Sequence, residues 1–236
     1  MFESIMINEF KESIKNKTYI CLDAGSCHMG KLDYAMRMAE VTKESGANCL
    51  KFQLGVCPPN IDLPFKDFVK VFEYGKQIGI DVTSSIFDEV ILGDYLDLDP
   101  KFIKFAYSQK ELLLSQEFSY CQDVQLVVSC DIMTLHCPIE NAIRLFCIPC
   151  YPVYHEINFD SIFTNSKFYG FSDHSLGIRQ TIKAVRAGAK WIEKHFTLGY
   201  SDIKCPDNYF ALTPPEISKM VAAIRQEDQS SIRSSF

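Results

Sequence analysis

Two histidines stand at matching places in the last third of the chain. His174 closes the segment 168–174 (FYGFSDH), and His195 lies near the end of 191–197 (WIEKHFT). Each has a polar residue two positions earlier, Ser172 in the first segment and Glu193 in the second. Side chains alternate on a strand, so Ser172 shares a face with His174, and Glu193 with His195. Two imidazoles with a carboxylate close by suggest an open site for a divalent metal, because two protein nitrogens leave positions for water and substrate. One strand-end histidine is most simply a residue bonded to nearby backbone; two in matched positions favour a site.

Two lysines extend the pattern. Lys51 and Lys104 each lie inside an apolar stretch, CLKFQ and FIKFAY. A lysine there is unusual unless its ammonium meets an anion, and two can clamp a phosphate or a carboxylate. Taken singly, either could instead be a strand-end lysine reaching solvent along its stem. Ser84, Ser85 and Ser172 add hydroxyl donors at other segment ends. In 23–30 (DAGSCHMG), Asp23 offers a proton acceptor, His28 a donor, and Gly25 and Gly30 allow backbone to approach a ligand, a weak signal alone because turn glycines are common. Together these residues describe a pocket for a phosphorylated acid beside a metal-bound electrophile. Schiff-base chemistry would also use a buried lysine, but it has no need of the two histidines.

The elements that must position these groups alternate in type. Strands are expected at 19–25, 48–54, 81–87, 102–107, 125–131, 145–151, 168–174 and 191–197, with helical periods clearest at 32–43 and 215–225. Between the two histidine strands, Ile178, Ile182 and Val185 share a helix face that stops at Gly188. Strands joined by a helical crossover are parallel, so their polar ends gather at one edge. Eight such units predict a (β/α)₈ TIM barrel, with a doubly wound open sheet as the alternative. An internal echo supports repetition: 45–53 (SGANCLKFQ) lies without gaps on 187–195 (AGAKWIEKH), which sets Lys51 and Gln53 against Glu193 and His195. A polar pair facing a barrel interior is costly unless something binds there. The expected layout is an amphipathic capping helix in 1–18, a barrel over 19–226 with 55–64 looping across its mouth, and a polar, fraying tail at 227–236.

Composition narrows the function classes. A net charge of −6 argues against nucleic acid as the main partner, and no apolar run reaches the roughly 20 residues that span a bilayer. The amphipathic N-terminus, neither basic at its start nor continuously apolar, does not read as a signal peptide. The ten cysteines lack a secreted framework, so they are expected to be reduced thiols in a cytoplasmic protein. The CxxC of Cys147 and Cys150 has no visible second pair, which makes packing its expected role.

The segments 171–177 (FSDHSLG) and 192–198 (IEKHFTL), with 25–30 (GSCHMG) and 51–53 (KFQ), strongly resemble the N-acetylneuraminate (sialic acid) synthase family, and the likeness covers 19–225. The resemblance implies a TIM-barrel enzyme that condenses phosphoenolpyruvate with an N-acetylated amino sugar such as N-acetylmannosamine and releases phosphate. It implies that His174 and His195 hold a divalent metal, typically Mn²⁺, acting as a Lewis acid on the sugar aldehyde. Lys51, Ser85, Lys104 and Ser172 would then hold phosphoenolpyruvate. Asp23 and Glu193 would orient metal-bound water or handle protons, and Gln53, Tyr151 and Asp207 would meet the sugar. There are departures from the family pattern. Asp23 replaces a glutamate, Cys27 and Pro149 replace asparagines, and Tyr107 takes the place of a phosphate-binding serine, a role that Ser108 is expected to fill. The family's C-terminal antifreeze-like domain, which lends an arginine from a dimer partner, has no counterpart here, so a homodimer or a separate lid-domain protein is the expected partner. The contrary readings are a non-catalytic relative that binds a sugar, a phosphate or a partner protein, and, more weakly, a class II-type aldolase.

Overall fold

The computed structural model describes residues 10, 12, 14, 16–55, 61–87, 89–109, 124–132, 142–164, 167–199 and 205–233. Eight strands form a closed parallel barrel in sequence order: β1 (Tyr19–Asp23), β2 (Cys49–Leu54), β3 (Asp81–Ile86), β4 (Phe102–Phe105), β5 (Gln125–Cys130), β6 (Ile143–Cys147), β7 (Gly170–Asp173) and β8 (Trp191–His195). Every expected strand is present, and closure rules out the open-sheet alternative. The first and last strands run in register over five pairs, from Tyr19 opposite Trp191 to Asp23 opposite His195.

Among the described residues six helices pack outside: α1 (Leu32–Ser45), α2 (Phe65–Ile78), α3 (Glu89–Leu96), α4 (Phe159–Phe163), α5 (Arg179–Arg186) and α6 (Pro214–Arg233). They form because apolar residues recur at helical spacing, as in α1, where Ala35, Met38, Ala39 and Thr42 bury one face against the barrel. The expected helix before Gly188 is α5, and Gly188 follows it with φ +112°, a conformation that glycine tolerates best. The loop expected at 55–64 falls partly outside the described residues, which resume at Ile61.

The barrel interior is layered. Its floor is filled by Tyr19, Cys21, Cys49, Phe102, Val127, Ile143, Leu145 and Trp191, a buried apolar cluster separate from the larger one between strands and helices. Gly170 makes room for this floor, since a Cβ there would lie 2.2 Å from the Trp191 carbonyl oxygen and 2.9 Å from Leu145 Cδ2. The expected N-terminal cap falls mostly outside the described residues, but Phe10 packs beneath the floor, 5.4 Å from the Tyr19 ring and 5.7 Å from that of Trp191. Strand residues two positions beyond the floor share its inward face. That parity turns Asp23, Lys51, Lys104, Ser129, Ser172 and Glu193 into the upper lumen.

The C-terminal stretch corrects the sequence expectation. Helix α6 runs to Arg233 instead of ending near residue 225 in a frayed tail. Asp228, buried on this helix, accepts bonds from the Thr18 N–H (3.1 Å) and the Thr18 hydroxyl (2.7 Å). Arg225 donates to the Thr18 carbonyl (2.6 Å) and to Asn48 Oδ1 (3.2 Å), which in turn accepts from the Ile20 N–H (2.9 Å). The tail lacks apolar periodicity because its anchorage is polar.

Candidate active site

The upper lumen holds two ammoniums and two carboxylates in mutual contact. Lys51 Nζ lies 2.7 Å from Asp23 Oδ2 and 3.8 Å from Glu193 Oε1, and Lys104 Nζ lies 3.5 Å from the same Glu193 oxygen. All four side chains are buried. Both lysines also meet hydroxyls, Lys51 donating to Ser85 Oγ at 3.5 Å and Lys104 to Ser129 Oγ at 2.7 Å. Burial works against the Lys51 ammonium, but Asp23 and Glu193 outweigh it and raise its pKa. Burial likewise opposes the Asp23 carboxylate, and His195, Lys51 and the Gly25 N–H bring its pKa below the ordinary value.

The two histidines close the other side of the lumen, their ring centroids 5.9 Å apart. His174 Nδ1 faces the Ile148 carbonyl oxygen at 2.9 Å, so Nδ1 carries the proton and Nε2 keeps a lone pair. Burial pushes its pKa down to about 4, leaving the ring neutral. His195 Nε2 lies 3.2 Å from Asp23 Oδ2, while its Nδ1 is buried without a hydrogen-bond partner. Each imidazole thus has one nitrogen anchored by an acceptor; of the other two, His195 Nδ1 has no partner and His174 Nε2 has only the Ser172 hydroxyl oxygen at 3.5 Å, an arrangement that suits metal-ligating histidines with a supporting carboxylate or carbonyl. Among the described residues no third histidine, cysteine, aspartate or glutamate completes a three-residue metal cluster. The donor set therefore fits an open divalent site with two protein nitrogens. Glu193 Oε2, also buried, has no hydrogen-bond partner, and its Oε1 accepts from the Ser172 hydroxyl at 2.9 Å.

Three further expected residues border this centre. Gln53 follows Lys51 on β2, half-buried and opposite Ser85 in register. The Tyr151 ring lies over His174 with centroids 4.1 Å apart. Asp207, on a 3₁₀ turn after β8 (Pro206–Tyr209), accepts from both the N–H and the hydroxyl of Ser26 at 2.8 Å. It reaches the centre past Gly25 (φ +50°), where a Cβ would sit 2.3 Å from Asp207 Oδ2 and 3.0 Å from His195 Nδ1. Only glycine suits that position, for its backbone angle and for the space. Ser108 is not brought in: it is exposed on the 3₁₀ turn after β4, where the preceding Tyr107 hydroxyl donates to Asp131 Oδ2 at 3.0 Å. His28 is buried beside Phe52 rather than in the lumen, with Nδ1 accepting from the Gly30 N–H. The CxxC holds no disulfide; Cys147 is buried at the end of β6 and Cys150 is exposed.

The family model described as "NeuB family" matches residues 57–234. The chain belongs to the NeuB family. Over 94% of its length it is 28% identical to an uncharacterized protein of Methanocaldococcus jannaschii, covering 74% of that protein. It is 25% identical to the N,N'-diacetyllegionaminic acid synthase of Legionella pneumophila, covering 89% of this chain and 72% of the relative. The human N-acetylneuraminate-9-phosphate synthase is also 25% identical, with 88% and 69% covered. Among solved structures, the N-acetylneuraminic acid synthetase of Leptospira borgpetersenii in complex with citrate superposes with a TM-score of 0.78 at 24% identity, over 90% of this chain and 84% of that one, which supports the barrel fold.

Two features of this NeuB-family site escaped the sequence reading. Ser129 carried no signal in QLVVSC, because only strand register sets it beside Lys104. A second buried ion pair, Lys194 Nζ to Asp173 Oδ2 at 3.1 Å, lies on the outward faces of β7 and β8. Asp173 also accepts from Thr181 Oγ1 of α5 (2.5 Å) and from the Ser175 N–H (2.8 Å), while Lys194 donates to the Ser175 carbonyl. This network fixes the strand ends that carry His174 and His195. Parity could have found it, since residues between inward-facing neighbours must point outward.

Proposed function

We propose that this chain condenses phosphoenolpyruvate with an N-acetylated amino-sugar aldehyde, N-acetylmannosamine or a close relative, to a nonulosonic acid with release of phosphate. The observation that carries the reading is the lumen itself. Two buried lysines, two buried carboxylates and two histidines, one of them with an unpartnered nitrogen, meet at the C-terminal end of a barrel whose relatives include acidic-sugar synthases. Lys51 and Lys104 supply the cations for the carboxylate and phosphate of phosphoenolpyruvate, with Ser85, Ser129 and Ser172 as hydroxyl donors. His174 and His195 would hold a divalent ion, Mn²⁺ by family likeness. Once bound, it supplies Lewis-acid polarisation of the sugar aldehyde.

The remaining work falls to this chain's own groups. Asp23, kept ionised by its neighbours, holds the His195 Nε2–H and so fixes which nitrogen is left for a ligand. The enol carbon adds to the aldehyde carbon, water adds to the neighbouring carbon, and the phosphate leaves. Glu193 Oε2, buried and unpartnered, is the atom placed to take the proton from that water. Gln53, Tyr151 and Asp207 border the opening where the sugar would lie.

The test is release of inorganic phosphate from phosphoenolpyruvate with added Mn²⁺ across a panel of N-acetylated amino sugars. Product formation with one of them is the expected result. A protein that binds phosphoenolpyruvate and Mn²⁺ yet releases no phosphate with any sugar would favour a second reading, a non-catalytic binder. The exposed Ser108, and the Tyr107 hydroxyl committed to Asp131, are what speak for that reading.

A further inference from the structure

The loop after β1 and the segment that follows β8 meet at two sulfurs. Cys27 Sγ lies 3.0 Å from Cys205 Sγ, and Ser26 Oγ lies 3.1 Å from Cys205 Sγ. The contact joins residues 178 apart in sequence, and both thiols are free. A disulfide bond is about 2.05 Å long, so closure needs an approach of about 1 Å. A second thiol pair, Cys21 and Cys49, is opposite in register on β1 and β2 and in hydrogen-bond contact, but a peroxide cannot reach it. Cys21 and Cys49 lie in the floor of the barrel at 1% and 0% exposure, whereas Cys205 sits at the mouth with 9% of its surface open. The hydrogen bond from Cys27 is the largest influence on the Cys205 thiol and, with that from Ser26, lowers its pKa. The Cys27 thiol is raised by the same contact and by burial, so it keeps its proton.

We propose that Cys27 and Cys205 are a dithiol site that a peroxide converts to a disulfide, tying the loop after β1 to the segment that carries Asp207. The Cys205 sulfur attacks the peroxide O–O bond, giving a sulfenic acid and one water. The Cys27 sulfur then displaces the hydroxyl, which leaves with the Cys27 proton as a second water while the S–S bond forms. Two thiols lose two electrons in all, and the peroxide gains them. The bond would lock Ser26 onto Asp207, whose contact it flanks. This chemistry does not depend on the condensation proposed above.

The experiment treats the folded, reduced chain with increasing hydrogen peroxide, removes the oxidant, unfolds and alkylates the protein, and maps the peptides by mass. The expected product is a Cys27–Cys205 cross-link lighter by two hydrogens and reversed by dithiothreitol, with Cys21 and Cys49 still alkylated. Full alkylation of Cys27 and Cys205 at a dose that oxidises the exposed Cys150 would overturn the proposal. In Cys27→Ser, Cys205 should be trapped as a dimedone-reactive sulfenic acid. A Cys205 as inert in that variant as Cys21 would overturn it too.

Discussion

Replacing Lys51 with methionine is the sharpest probe of the lumen, because it keeps most of the side chain's volume and removes only the charge. The ammonium has two carboxylate neighbours, Asp23 Oδ2 at 2.7 Å and Glu193 Oε1 at 3.8 Å, and all three groups are 4% exposed or less. Without it, Glu193 still has Lys104, but Asp23 is left with the Gly25 N–H and His195. Breaking one side of a buried ion pair costs about 3–5 kcal/mol. The surviving partners place Lys51→Met near the lower end, about 3 kcal/mol, which lowers the melting temperature by about 6–12 °C in a chain of this size. Asp23→Asn alone should cost a similar amount by leaving the ammonium with only the more distant carboxylate of Glu193. The double variant removes both charges, so its cost should fall below the sum of the singles by about 2 kcal/mol. Urea midpoints at constant m-value supply the four free energies of the cycle. A second readout is the stabilisation of the wild type by millimolar phosphoenolpyruvate, which Lys51→Met should abolish. Single-variant costs that simply add, within about 0.5 kcal/mol, would mean that the pair is not formed in the folded protein and would refute the reasoning.

Other outcomes follow from the same geometry. Manganese retained after desalting should be lost in His174→Ala, and equal metal content in variant and wild type would remove His174 from the ligand set. Glu193→Gln should cut phosphate release by about a hundredfold or more while phosphoenolpyruvate still binds; a rate within a few-fold of wild type would leave Oε2 without a proton-transfer role. His28 and His174 are held neutral, their pKa values lowered by burial to about 4, so below pH 6.5 the unfolded chain takes up protons that the folded one refuses. Stability should therefore fall as pH drops from about 6.5 to 4, by up to about 3 kcal/mol per histidine, and His28→Asn should flatten that slope. The lowered carboxylates Asp23 and Asp207 withdraw stability in the same direction from about pH 5 downward, so the histidine part is read between about pH 6.5 and 5 and from the His28→Asn difference. A stability that is level or rises across it would contradict the burial of both rings. Asp228→Ala should destabilise by about 2–4 kcal/mol, because it strands the Thr18 N–H and hydroxyl and leaves the Arg225 guanidinium with only its neutral acceptors, the Thr18 carbonyl and Asn48; urea unfolding that matches wild type would show the tail to be dispensable.

The barrel was legible because strand spacing and parity are local properties. FSDH and WIEKH announce both their period and their inward faces, and Lys51 and Lys104 stand out against apolar neighbours. What stayed hidden depends on register or on distant partners. Ser129 is one serine in an apolar strand until β4 sets Lys104 beside it. Ser108 looked able to replace a lost hydroxyl, but the turn after β4 exposes it while the Tyr107 hydroxyl goes to Asp131. Asp228 looked like tail because the polar partner that buries it, Thr18, lies 210 residues away.

The clasp between Asp228 and Thr18 has a consequence for the chemistry at the opposite rim. Thr18 directly precedes Tyr19, the first residue of the five-pair register that ends with Asp23 opposite His195. Five residues of strand carry the anchor about 17 Å up the barrel wall. A register slip of one residue along this seam would turn Asp23 from lumen to outer face, because side-chain direction has a period of two. The Asp23–His195 and Asp23–Lys51 contacts would vanish together, with no atom of the site itself having been altered. The helix end thus acts as a stop that sets the phase of the barrel wall, and slippage there would appear as lost activity before it appeared as lost fold.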